Sequence, residues 1–266
     1  MPSPPPLTAS LRPLIVSAPF GNYVRPAGAT ATLGTFTLHD RPGRPWRIVK
    51  TVRYYPRLKA WVNRIGLRNP GIDSVVRKAE AGKLDVSDKL ISIHGFDEQQ
   101  WLALLARTAG LRPLGIELNL SCPNVGELSW PRGLFAAAVE AAGPAETRVV
   151  AKLPPVNYVA MADAAWAAGV RAFHACNTLP VPAGGMSGKP LMPLSLRCVA
   201  WLRERFGPEA TIIGGGGVTR PDDVDAYADA GADRVAIGTK AMNPMLLVSQ
   251  RSLAGLLARA AERFSG

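Results

Sequence analysis

Short apolar runs rich in valine and isoleucine recur along this chain, and from its middle onward each is followed by a longer stretch of helical periodicity. The runs fall at 14–17, 47–52, 90–94, 115–119, 148–152, 170–174, 211–214 and 234–237, with amphipathic stretches at 98–108, 133–142, 158–168, 194–206 and 220–230 and a last helix at about 245–264. Strands separated by helices pair in parallel, because each crossover must return the chain to the same sheet edge with a right-handed turn. Eight such units in 266 residues fit a closed (β/α)8 TIM barrel of about 250 residues better than an open sheet. The expected organisation is a single domain over residues 1–266. The stretch 29–38, rich in Thr and Gly, alternates like a strand before the turn signal Asp40-Arg41-Pro42-Gly43, and is expected to form an extra hairpin at one barrel end.

Composition narrows the class. At 47% hydrophobic the chain can bury a full-sized core, and no apolar run approaches the roughly 18 residues of a membrane-spanning helix. The proline-rich start, residues 1–6, lacks the charged-then-apolar layout of a secretion signal. Three cysteines, Cys122, Cys176 and Cys198, are too few and too far apart for a disulfide scaffold or an iron–sulfur site, and a reducing cytoplasm suits them. Three isolated histidines suggest no metal site: His39 lies in a turn, His94 ends a strand, and His174 alternates into a strand interior as a satisfied core residue. The net charge of +11 comes from scattered arginines without a basic run, which favours anionic small molecules over nucleic acid.

The chemistry gathers at strand ends. Glu117-Leu118-Asn119-Leu120-Ser121-Cys122-Pro123-Asn124 carries an apolar strand into a loop bearing two amides, a hydroxyl and a thiol, so Cys122 is a candidate acid/base or nucleophile. Lys152 ends the strand Val149-Val150-Ala151-Lys152, where an ammonium in a barrel mouth calls for an anionic or electron-rich ligand. Asn177-Thr178 place an amide and a hydroxyl over the same mouth, and 184–188 reads as a flexible glycine-rich loop beside it. The run Gly214-Gly215-Gly216-Gly217 and the pair Gly238-Thr239 follow the last two strands, where barrels often build a phosphate site.

These segments, with Pro193-Leu194-Ser195-Leu196-Arg197 and the weaker match Asn63-Arg64-Ile65-Gly66-Leu67-Arg68-Asn69-Pro70-Gly71, resemble the dihydroorotate dehydrogenase family, FMN-containing barrels that oxidise dihydroorotate to orotate. The resemblance implies FMN as cofactor and Cys122 as the base, a cysteine here pointing to the soluble, class 1-like members. It implies substrate contacts from Asn63, Ile65, Gly66 and Leu67 and from Asn119, Asn124, Asn177 and Thr178. It places the flavin against Ala18, Asn119, Lys152 and Cys176, with its phosphate on Gly188, Gly216, Gly217, Gly238 and Thr239. The family carries a Lys-Ser/Thr pair at the end of its second strand, for which Lys50-Thr51 is the natural counterpart, contacting both flavin and substrate.

The resemblance also implies a homodimer and an iron–sulfur flavoprotein partner that passes electrons to NAD, with fumarate as another acceptor. Departures from the family cluster in the first half: Ser17-Ala18-Pro19-Phe20-Gly21 replaces the usual turn under the flavin, and Arg64 and Arg68 add charge to the substrate loop. They favour two alternatives, a dehydrogenase or reductase of another dihydropyrimidine-like or cyclic amide substrate, and an inactive flavin-binding partner subunit.

Overall fold

The computed structural model describes residues 7–120, 130–143 and 148–264. The strands among the described residues are β1 (Leu14–Val16), β2 (Ala29–Phe36), β3 (Arg53–Tyr55), β4 (Ala60–Asn63), β5 (Leu90–Ile93), β6 (Gly115–Leu118), β7 (Arg148–Leu153), β8 (Ala172–Ala175), β9 (Leu179–Val181), β10 (Gly184–Gly188), β11 (Thr211–Gly215) and β12 (Arg234–Ile237). The α-helices are α1 (Arg44–Thr51), α2 (Asp73–Glu80), α3 (Glu98–Gly110), α4 (Leu134–Ala142), α5 (Val159–Ala167), α6 (Met192–Phe206), α7 (Pro221–Asp229) and α8 (Ala254–Phe264).

Eight parallel strands close a barrel in the order β1-β12-β11-β8-β7-β6-β5-β2, the (β/α)8 architecture expected from the alternation. Its interior is layered, as the two-residue strand period requires. One layer is apolar, built from Ile15, Leu90, Val150, Ala172, Ile213 and Ala236, and Leu7 and Leu11 of the N-terminal segment pack against it. Two residues further along the strands the interior turns polar, with Ser92, Glu117, Lys152 and His174 all buried. Outside the barrel, helices bury the other strand faces; stacked Trp166, Phe206 and Phe173, with Trp166 and Phe206 4.5 Å apart, are one example.

Several local expectations change. Residues 29–38 are not an added hairpin: Ala29–Phe36 is the barrel's second strand, paired with β1 on one side and β5 on the other. Of residues 47–52, expected as that strand, all but the extended cap residue Val52 belong to α1, which begins at Arg44 after a left-handed Gly43 and has Pro45 in its first turn. Pro45 fits there because a helix's first N–H groups have no partner to lose. The register between β2 and β5 shifts between Leu33 and Phe36, a bulge that re-aims Gly34 and Thr35.

The additional antiparallel sheet is β3-β4-β10-β9, made of two hairpins far apart in sequence. Its central pairing sets Asn63 opposite Gly185, so Gly184–Gly188 is a strand rather than a flexible loop. A side chain at Gly184 or Gly188 would strike the facing carbonyls of Asn63 and Lys59, which explains the glycines. The long last helix is also shorter than expected: short 3-10 turns at Pro244–Leu247 and Arg251–Leu253 precede α8. No helix among the described residues is long and apolar enough to cross a membrane.

Candidate active site

The barrel mouth opens into one pocket, and most of the residues expected there line it. Ala18, Asn63, Ile65, Gly66, Leu67, Asn119, Lys152, Cys176, Asn177, Thr178, Gly216, Gly217, Gly238 and Thr239 all do. Cys122 and Asn124 lie outside the described residues. Gly188 is behind the wall, its carbonyl facing Gly217.

Lys50 and Thr51 are not in the pocket. On α1 rather than on a strand, Lys50 is exposed, while the Thr51 hydroxyl donates to the Arg47 carbonyl and accepts from the Arg64 N–H. The second strand ends instead in Gly34-Thr35-Phe36, which has no lysine. Gly34 has a φ of 106°, and a Cβ there would lie 2.4 Å from the Ser92 carbonyl, so only glycine fits.

At one end of the pocket the backbone is bare. Gly216 and Gly217 have positive φ, and an added Cβ at Gly238 would meet no protein atom within 4 Å, only the space of the pocket. The turn is held from behind. The Tyr227 hydroxyl donates to the Gly216 carbonyl at 2.8 Å, and Ser195 Oγ lies 2.6 Å from the Gly215 carbonyl. The Asp223 carboxylate accepts from the Thr219 and Arg220 N–H groups at the start of α7. A rigid, side-chain-free pair of strand-to-helix turns suits one phosphate group.

At the other end a wall of polar side chains is wired together. Asn177 Nδ2 donates to Asn119 Oδ1 at 2.7 Å, and Asn119 Nδ2 donates to Thr35 Oγ1 at 2.8 Å. Thr35 Oγ1 lies 3.0 Å from Ser92 Oγ, and Ser92 sits opposite Glu117 in the β5–β6 pairing. The Asn119 backbone carbonyl is 2.7 Å from His94 Nδ1, so His94 supports the wall from behind without lining the pocket.

Beneath both ends sits a charged cluster. Glu117 is fully buried, with its carboxylate 3.4 Å from Lys152 Nζ and 2.6 Å from His174 Nδ1. Register explains the meeting: Lys152 and His174 are paired across β7 and β8, and Ser92 and Glu117 across β5 and β6, all pointing inward. Burial works to raise the Glu117 pKa, but Lys152, His174 and the hydrogen bonds outweigh it and hold it at about 2. Burial, reinforced by Lys152, pushes His174 below its ordinary value despite Glu117. The cluster at neutral pH therefore pairs a carboxylate with a neutral imidazole. In Lys152→Met protein the carboxylate remains while the repelling ammonium is gone, so the His174 pKa is expected to rise; an NMR titration of the imidazole that shows no rise rejects this electrostatic account.

Thr35, His174, Arg44 and Arg68 also line the pocket, and none was singled out as a ligand contact from sequence. A signal for Thr35 existed in the Thr-rich alternation of residues 29–38, which matches a polar barrel interior as well as a hairpin.

A model of the dihydroorotate dehydrogenase family matches residues 23–251. The catalytic subunit of dihydroorotate dehydrogenase B (NAD(+)) from Methanopyrus kandleri is 32% identical over 245 residues, covering 83% of this chain and 76% of that protein. Its counterpart from Trichlorobacter lovleyi is 33% identical over 252 residues, covering 85% and 80%. In fold, the ligand-free dihydroorotate dehydrogenase of Eimeria tenella superposes with a TM-score of 0.74 at 19% identity, covering 95% of this chain and 84% of that one. With the match running through both barrel-mouth turns and the polar wall, this chain belongs to the dihydroorotate dehydrogenase family of flavin-dependent oxidoreductases.

Proposed function

We propose that this protein binds FMN and oxidises dihydroorotate to orotate. The observation that carries the reading is that one pocket has a bare glycine cradle at one end and a wired amide and hydroxyl wall at the other, with Lys152 between them. The residues present fit a flavin with a single phosphate. Gly216, Gly217, Gly238 and Thr239 would take the phosphate through backbone N–H groups, and Ala18 and Cys176 would flank the ring. When bound, the flavin supplies the two-electron acceptor that this chain's side chains cannot provide.

The chain's own residues bind, orient and move a proton. Lys152, buried and facing the pocket, stabilises negative charge that develops beside it. Glu117 fixes the ammonium in place, and neutral His174 completes the carboxylate's hydrogen bonding without adding a second positive charge. Asn63, Asn119, Asn177 and Thr178 match the alternating donors and acceptors of a pyrimidine edge; the hydrogen bonds joining Asn119, Asn177 and Thr178, and those of Asn63 to the Gly185 carbonyl and the Ile65 N–H, leave little freedom to reorient when the ligand arrives. Cys122 is the proton acceptor; a thiol, ordinarily near pKa 8.5, serves near neutral pH where thiolate is favoured.

Electrons leave through a second polypeptide, an iron–sulfur flavoprotein that reduces NAD. This reading is supported by relatives described as catalytic subunits of an NAD(+)-linked enzyme. The purified protein is expected to show an oxidised flavin spectrum, with FMN released on denaturation, and dihydroorotate added without oxygen should bleach it. A colourless protein with no affinity for FMN rejects the cofactor; a flavin that stays oxidised rejects the substrate.

A further inference from the structure

Four arginines converge on the substrate end of the pocket. Arg44 and Arg68 line it directly, and the same two line a second recess that opens beside it and includes Arg41. Arg47 approaches from α1, its Nη2 3.7 Å from the position a Cβ on Gly66 would take. Clustered cations normally draw carboxylates, but the ion pairs among the described residues include none of these four. Of the two aspartates lining the recess, Asp73 is paired with Arg107 at 2.8 Å, and Asp40 forms no ion pair among the described residues.

Arg41 lies over the Phe96 ring at 4.6 Å and Arg44 over the Tyr23 ring at 5.4 Å, but the guanidinium groups have few hydrogen-bond acceptors from the protein. The Nε atoms of Arg41, Arg47 and Arg68 are buried without a hydrogen-bond partner. Arg41 reaches the Gly66 carbonyl only at 3.4 Å, and Arg68 the Pro42 carbonyl at 3.3 Å. Arg44 spends one nitrogen on the Tyr23 hydroxyl. Burial, and after it the neighbouring Arg68, push the Arg41 pKa down. Cations gathered at a pocket rim create a positive field that attracts an anion.

The strand end beside the wall carries no compensating lysine. Gly34 is sterically barred from bearing one, and Lys50 is exposed on the outer part of α1. We infer that Arg44 and Arg68, backed by Arg41, form an oxyanion subsite that recognises the carboxylate of the ring substrate and sets this protein's preference for charged over neutral rings. The inference rests on the reading of the pocket given above. Guanidinium groups suit the task because their planar donor pairs match the two oxygens of a carboxylate.

The test is calorimetric titration of the FMN-loaded protein with orotate, with uracil as its neutral ring, and with inorganic phosphate. Wild-type protein is expected to prefer orotate to uracil. Arg68→Gln and Arg44→Gln should each weaken orotate about 10- to 100-fold, the worth of a charge-assisted hydrogen bond, and leave uracil unchanged. Retained uracil binding reports an intact pocket, and the second variant carries the test if the first does not fold. Arg205→Gln removes the same charge from the exposed far side of α6 and should leave orotate affinity alone.

Equal affinity of wild-type protein for orotate and uracil overturns the inference, as do arginine variants that bind orotate normally or an Arg205→Gln loss equal to that of Arg68→Gln. Phosphate binding that displaces no orotate, while the arginine variants lose only phosphate, assigns the cluster to a free anion and also overturns it. Anaerobic bleaching by dihydroorotate, read in parallel, separates this question from the reaction: orotate binding that depends on the arginines without bleaching rejects the reaction and keeps the subsite.

Discussion

In Cys122→Ala protein, dihydroorotate is expected to reduce the bound flavin about 10²- to 10⁴-fold more slowly than in wild type, the usual worth of a positioned general base. Alanine removes the proton acceptor and little volume, so flavin content and orotate affinity should stay near normal. Anaerobic stopped-flow absorbance measures the rate, and the released FMN measures occupancy. The pH profile carries the sharper information. Reduction by wild type should rise with pH through the titration of the thiol, and the variant should lose that limb. An unchanged rate would remove Cys122 from the mechanism, and loss of flavin would make it a structural residue.

Replacing Glu117 by leucine is expected to cost about 3–5 kcal/mol of folding stability, because it strips a buried ammonium of the carboxylate that compensates it. Denaturant midpoints at unchanged slope would measure the loss. Glu117→Gln keeps the shape and isolates the charge. Because the folded-state pKa of Glu117, about 2, lies below the ordinary 4.5, its contribution is present above pH 4.5 and disappears as pH falls toward 2. His174 has the same sign, its folded pKa being depressed: its contribution is complete above 6.5 and is lost on acidification through the lower folded value. Wild-type stability should therefore decline in two stages below pH 6.5, and Glu117→Gln should lack the stage between 4.5 and 2. A variant with the wild-type acid profile would show that the carboxylate is not the group being protonated.

What the sequence conveyed, and what it hid, follows from how each segment is buried. β6, β7, β11 and β12 are apolar and end in loops of unusual composition, so both strands and site residues stood out. β2 alternates like a strand but reads as an added hairpin, because its buried positions include Thr30, Thr32 and Thr35. Hydrophobicity cannot assign a strand to the barrel wall when its buried positions carry hydroxyls. α1 misled in the opposite sense. Its Ile48 and Val49 read as part of a strand, yet they are exposed at 40% and 72%. That exchange moved the second strand by about one element and took the expected Lys50-Thr51 pair out of the pocket with it. His174 was correctly read as buried and satisfied; its partner, Glu117 on β6, could be identified only when the barrel closed and brought β6, β7 and β8 side by side.

The hydrogen-bonded wall has a sense of direction. Asn177 donates to Asn119, and Asn119 donates to Thr35. Thr35 has then used an oxygen lone pair and keeps its single hydrogen for Ser92, which sits opposite Glu117 in the barrel interior. The dipoles from Asn177 to Ser92 can thus run the same way, toward a carboxylate buried beneath the pocket surface. That buried negative charge favours the orientation in which Asn119 and Asn177 meet an incoming ring. Neutralising it would weaken the bias, so the recognition surface is tuned from the barrel interior.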